Sequence, residues 1–181
     1  MRKLSLYIAV SIDGFIAEKN GAVDFLHDKE YAVLDEDFGF KDFYGSVDTT
    51  LMGRKTFQEI LGFDVPFPYV EKKNYVFTRN QNSEPHEYVE FVREDPVSFV
   101  RKLKEQEGKG IWLVGGGIIN ALLLEHGLID RMILTTVPVT LGDGIPLFAP
   151  GKTVHKFKFK SAKSFSNGFA QLEYSKKKAG A

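Results

Sequence analysis

An apolar block behind a basic start opens the chain, and its pattern predicts a first buried strand over residues 3–10. Ser11-Ile12-Asp13-Gly14 and Asn20-Gly21 read as turns, since Asp and Asn bond to their own backbone and Gly accepts positive φ. Over residues 28–44 the apolar positions Tyr31, Leu34, Phe38 and Phe43 recur at helical spacing, which predicts a helix broken near Gly39. A short strand follows over 48–52. Gly53 ends it, and residues 54–61 form a helix closed by Gly62. Residues 63–69, with Pro66, Pro68 and three aromatics, predict an ordered loop; 74–78 and 88–92 alternate as strands do.

Asp95-Pro96 supplies an N-cap and a first-turn proline for a helix to residue 107, with Phe99, Val100 and Leu103 on one face. A buried strand over 110–114, the turn Gly115-Gly116-Gly117 and an almost wholly apolar helix over 118–126 form the sharpest pattern in the chain. Residues 131–139 are β-branched and strand-like. Gly142-Asp143-Gly144 is a tight turn, and strands over 154–164 and 168–174 make a hairpin around Ser166-Asn167. Strands alternate with helices and then give way to an antiparallel end, which predicts an α/β fold with a mixed, mainly parallel sheet.

Composition narrows the classes. With 43% hydrophobic residues, 16 Phe among them, the 181 residues can bury a substantial core, and one domain over 1–175 with a polar tail at 176–181 is expected. The 24 basic and 24 acidic side chains cancel, so the chain has no global field for nucleic acid and any anion is bound locally. Cysteine is absent, which removes disulfides, thiolate metal sites and a cysteine nucleophile. His27, His86, His126 and His155 lack metal-ligand spacing, so no metal is expected. No apolar run has the length of a membrane helix, and Asp13 interrupts the start too early for a signal peptide, so the expected location is cytoplasmic.

The glycine turn at 115–117 lets backbone N–H groups and a helix start approach an anion without Cβ obstruction; packing of a buried helix is the other use of such a run. The Rossmann fingerprint is not met, because Asn120 stands where the third small residue belongs. Met52-Gly53-Arg54-Lys55-Thr56 repeats the junction with two cations and a hydroxyl, and Thr78-Arg79-Asn80 adds a third strand end of the same kind. Three such ends fit one extended ligand with several phosphates, such as a dinucleotide carrying a 2′-phosphate.

Ala9-Val10-Ser11-Ile12-Asp13-Gly14-Phe15-Ile16-Ala17, Met52-Gly53-Arg54-Lys55-Thr56-Phe57, the glycine turn and Leu141-Gly142-Asp143-Gly144-Ile145-Pro146-Leu147-Phe148, in this order, resemble the dihydrofolate reductase superfamily. The branch most similar is that of the reductase domain of bacterial riboflavin biosynthesis enzymes. The resemblance implies a three-layer α/β/α fold around an eight-stranded sheet and NADPH as cofactor. It implies Ala9 and Ile16 near the nicotinamide, Gly53, Arg54, Lys55 and Thr56 at the adenosine phosphates, and Thr78 and Arg79 near the adenine ribose. Gly115, Gly116, Gly117, Ile118 and Ile119 would meet the pyrophosphate, and Arg54 and Arg79 would favour NADPH over NADH. Relatives of this branch favour a homodimer.

One stretch departs from the family pattern. Folate-reducing members carry a proline-tryptophan pair and then a carboxylate, where this chain has Ala22-Val23-Asp24-Phe25-Leu26 and Lys29. Asp28 and Glu30 flank Lys29 and, with Asp24, are candidates for a proton-donating carboxylate, a role that needs a pKa raised by burial. Dihydrofolate is accordingly expected to be a poor substrate. The expected function is an NADPH-dependent reductase acting on a small heterocyclic or conjugated C=N or C=O substrate; a non-catalytic dinucleotide-binding module is the alternative.

Overall fold

The computed structural model describes residues 1–26, 36–63 and 65–177. Ten strands are present among them: β1 (Leu4–Ser11), β2 (Phe15–Ala17), β3 (Val47–Gly53), β4 (Lys73–Phe77), β5 (Glu90–Val92), β6 (Gly110–Gly115), β7 (Arg131–Val137), β8 (Ile145–Pro146), β9 (Phe157–Ser164) and β10 (Ala170–Lys176). Four α-helices accompany them: α1 (Phe40–Gly45), α2 (Arg54–Gly62), α3 (Pro96–Glu105) and α4 (Gly117–Glu125). Eight strands form one sheet in the order β5-β4-β3-β6-β1-β7-β10-β9, and β2 pairs with β8 apart from it. The pairings from β5 to β7 are parallel; β10 is antiparallel to both β7 and β9.

Period-two alternation sorts the core into two layers. Leu4, Leu6, Leu51, Ile111 and Leu113 project to one face and meet Val97, Val100 and Leu103 of α3 with Ile119 and Leu123 of α4. Their sequence neighbours face the other way: Met52 and Val76 pack under Phe57 and Ile60 of α2, while Trp112 and Ile133 pack under Phe43 of α1. Helices on both faces of a mainly parallel sheet give the three-layer α/β/α architecture.

Boundaries differ from the sequence pattern where side chains redirect the backbone. Residues 36–39 are not helical, since the Asp37 carboxylate receives the N–H groups of Gly39 and Lys41, and Phe38 (φ 56) and Gly39 (φ 78) are both left-handed. The helix anticipated over 28–44 is therefore described only as α1, and residues 27–35 lie outside the described residues. β5 begins at Glu90 rather than Tyr88, and β9 at Phe157 rather than residue 154. Lys176 closes β10 and donates to Gly127 O, so the regular structure takes in the first lysine of the terminal run. The β2–β8 pair follows from no periodicity, because three and two residues are too few to show one.

Candidate functional site

The sheet is split at its centre. β1 pairs with β7 over Ser5–Ser11, but its pairing with β6 covers only Leu4↔Ile111, Ser5↔Trp112 and Leu6↔Leu113, although both strands run on. Correspondingly, Tyr7, Ile8 and Ala9 of this central strand are half-buried between fully buried ends. Lys3 O accepts Ile111 N–H, and Tyr7 O, beyond the last pair, accepts the Trp112 indole N–H at 3.1 Å. Ala9 has the same phase along the strand, so its N–H and C=O point into the gap between β1 and β6.

Two helix starts meet at the mouth of that gap. Gly53 caps α2 and Gly116 (φ 94) caps α4, neither with a side-chain hydrogen bond, so the first-turn N–H groups of both helices are without side-chain caps. The register Met52↔Gly115 sets the two strand ends side by side, and a Cβ at Gly116 would lie 3.0 Å from Thr56 Oγ1. The glycines have separate reasons. Gly115 (φ 126) and Gly116 hold conformations that L side chains rarely adopt, whereas a Cβ on Gly117 would stand 2.1 Å from Pro146 O. Gly117 is thus a packing glycine, and Gly116 faces the mouth.

Of the cationic candidates, Arg54 is half-buried and Lys55 exposed in the first turn of α2, with Thr56 half-buried beside them. β4 runs parallel to β3 with Gly53↔Phe77, which brings Thr78 and Arg79 next to that turn. Thr78 is buried, its hydroxyl receiving Asn80 N–H at 3.1 Å, while Arg79 is exposed. Ile118 is exposed at the start of α4; Ile119 is buried and reaches toward Gly53 and Gly116. Ile16 lies in β2; Leu147 N–H to Gly14 O extends the β2–β8 pair, and Ala149 N–H to Gly117 O fastens it to the glycine turn. Asp13 ties the same corner, accepting from Ser11 Oγ, Leu141 N–H and Gly142 N–H; these bonds, the Ser11 hydroxyl foremost, hold its carboxyl below the usual range.

On the α1 face a row of side chains crosses the sheet from Ala9 through Thr135 to Gln171. Gln171 Nε2 donates to Thr135 Oγ1 and to Phe38 O, both at 3.0 Å, and Tyr7 Oη donates to the same Phe38 carbonyl at 2.9 Å. The Phe38 ring stacks on Phe169 and meets Phe165 edge-on, in a cluster that includes Ala9. Below this bridge lies a cavity of about 250 Å³ lined by Tyr7, Phe38, Phe43, Gln171 and the bidentate pair Arg131–Glu173.

Sequence reasoning missed Tyr7, Phe38, Thr135, Gln171 and Asn120. Asn120 alone carried a signal, being the one amide in an apolar helix: it is fully buried, its Nδ2 donates to Leu147 O at 3.0 Å, and its Oδ1 has no partner among the described residues. Asp28 and Glu30 lie outside the described residues. Among the described residues no helix is long and apolar enough to cross a membrane.

Residues 67–171 match the family model of the RibD C-terminal domain. The uncharacterized Bacillus subtilis protein YwjB is 39% identical over 173 residues, covering 96% of this chain and 97% of its own length. Among solved structures, a candidate riboflavin biosynthesis protein from Shewanella sp. PV-4 superposes with a TM-score of 0.87 at 30% identity, covering 97% of this chain and 99% of that one. Enterococcus faecalis dihydrofolate reductase, complexed with NADP(H), shares the fold with a TM-score of 0.67 at 15% identity, covering 97% of each chain.

Proposed function

Because the chain belongs to the RibD C-terminal domain family, we propose that it is an NADPH-dependent reductase that passes hydride to a small heterocyclic or conjugated C=N or C=O acceptor. The observation that carries the reading is the split between β1 and β6, with two helix starts free of side-chain caps at its mouth. A dinucleotide fits these residues: the cradle is free of Cβ atoms where a phosphate would approach, and the gap presents a backbone donor and acceptor. The bound nicotinamide would supply the hydride.

The chain's own part is binding, orientation and exclusion of water. Ala9 N–H and C=O are matched to a primary amide, which accepts and donates side by side, and Ile16 would cover that end from β2. Gly115, Gly116 and the first-turn N–H groups of Gly117, Ile118 and Ile119 would receive the pyrophosphate, aided by the positive end of α4. Gly53, Arg54, Lys55 and Thr56 would meet the adenosine phosphates, with Thr78 and Arg79 at the ribose. Each charge-assisted bond to a 2′-phosphate contributes roughly 1.5–3 kcal/mol, enough to set the choice of NADPH over NADH. Fixing the ring against the Ala9–Thr135 row would orient an acceptor on the α1 face. The same kinship favours a cytoplasmic homodimer, which sedimentation velocity would read.

Calorimetric titration with NADPH and NADH tests the reading, followed by NADPH consumption with pterin, pyrimidine and flavin acceptors. NADPH is expected to bind at least tenfold more tightly. Equal affinities would remove the cations from their assigned role, and no binding of either would remove the reading. A non-catalytic module is the second reading, favoured by the Phe38 ring packed on the acceptor side; it would bind NADPH and leave it unoxidised whichever acceptor is added.

A further inference from the structure

Phe38 is the only described non-glycine residue with positive φ, and a bulky aromatic holds that conformation only when its surroundings impose it. Local and distant bonds both hold it: Glu36 Oε1 accepts Phe38 N–H at 2.9 Å and Asp37 caps the next turn, while two donors from different strands, Tyr7 Oη of β1 and Gln171 Nε2 of β10, converge on its one carbonyl oxygen at 2.9 and 3.0 Å. Both donors also have contacts that do not involve Phe38. The Tyr7 ring is clamped by stacking on Phe43, with centroids 4.6 Å apart, and the Gln171 amide is oriented by Thr135 Oγ1. A phenol is protonated at neutral pH and burial raises the Tyr7 pKa further, so the hydroxyl is available as a donor. A fixed pair of donors aimed at one point, beside Ala9 on the face where an acceptor would lie, is a receptor for a carbonyl oxygen. Phe38 C=O fills it from within the chain.

We propose that Tyr7 and Gln171 bind a carbonyl oxygen of the hydride acceptor, and that the Phe38 carbonyl occupies its place until the acceptor displaces it. The inference rests on the reductase reading, because it takes the α1 face beside Ala9 as the acceptor side. It goes beyond that reading by naming the recognised group and the residues that recognise it. Displacement exchanges two hydrogen bonds for two of the same kind and releases Phe38 from its left-handed conformation, while the stacking on Phe165 and Phe169 opposes the exchange. The acceptor class selected is a ring with an amide-type carbonyl; a ring of the same size without one gains nothing from the two donors.

The test measures binding of quinazoline-2,4-dione and of quinazoline, alike in rings and differing in carbonyls, to the NADPH-loaded protein. Calorimetry is applied to the parent, Tyr7→Phe and Gln171→Leu, with NADPH affinity measured for each. The parent is expected to prefer the dione at least tenfold, and each variant to bring the preference to within about twofold while NADPH affinity stays unchanged. Tyr7→Phe removes only a hydroxyl, so it keeps the test open should Gln171→Leu misfold. A preference retained in Tyr7→Phe, or absent from an NADPH-loaded parent, overturns the proposal while the cofactor reading stands. Failure of the parent to bind NADPH at all overturns both.

Discussion

The two flanks of β1 are built on opposite plans. Toward β6 the ladder stops after three residue pairs, the neighbouring strand ends in glycines with positive φ, and two helix starts face the opening without side-chain caps. Toward β7 the ladder continues for seven pairs, the side chains interlock through Thr135, Gln171 and Tyr7, and an aromatic cluster closes over them. One flank is an opening toward which backbone groups of β1 and two helix starts point. The other is a closed surface whose hydrogen bonds are satisfied from within. On the proposed reading, a preformed cradle would suit the cofactor, since little ordering is needed on binding. A self-satisfied surface suits a partner that must match the contacts it replaces.

The contrast breaks most severely at Gly117. Alanine there sets a Cβ against a backbone oxygen that no side-chain rotation can move, and Gly117→Ala is expected to lower unfolding free energy by about 3 kcal/mol in urea titrations. Gly116→Val, one residue away, separates packing from binding. Its φ of 94° costs about 1–2 kcal/mol of stability, but the larger effect is that the side chain fills the mouth beside Thr56, so NADPH binding disappears while cooperative unfolding persists. A variant that folds and binds NADPH normally would make the glycine run a packing device only.

The cationic rim gives a smaller effect. Arg54→Gln or Arg79→Gln should narrow the preference for NADPH over NADH by about 1.5–3 kcal/mol in paired titrations and leave NADH affinity nearly unchanged. A uniform loss for both dinucleotides would move these side chains to the pyrophosphate. Smallest is Thr135→Val on the closed flank. It removes one of the two acceptors of Gln171 Nε2, and the expected cost is about 1 kcal/mol in stability with no change in NADPH affinity. A fall in NADPH affinity instead would show that the flanks are coupled.

Much of the cradle was legible in the sequence because it is local. Gly53 with Arg54, and the turn Gly115-Gly116-Gly117, sit at strand-to-helix junctions whose periodicity changes within a few residues, and such junctions announce themselves without tertiary information. Locality left a choice open where one pattern can serve two purposes. Three consecutive glycines left phosphate binding and helix packing both open, and for Gly117 packing is a sufficient reason, since Pro146, 29 residues on, leaves no room for a side chain. The helix anticipated through Phe38 failed for a local reason as well, since Asp37 caps the following turn and competes with the helical ladder.

By itself the sequence determined the alternation of strands and helices and the glycine-ended strand-to-helix junctions, all set by interactions between residues close in the chain. Tertiary structure decided which strand ends meet, where β1 and β6 part, and that Tyr7, Phe38, Thr135 and Gln171 form one hydrogen-bonded group. Those contacts join residues 31 to 133 positions apart, through side chains that are unremarkable one at a time. No short-range periodicity encodes them, because the energy that selects them appears only when the sheet order β1-β7-β10 has brought the three strands side by side.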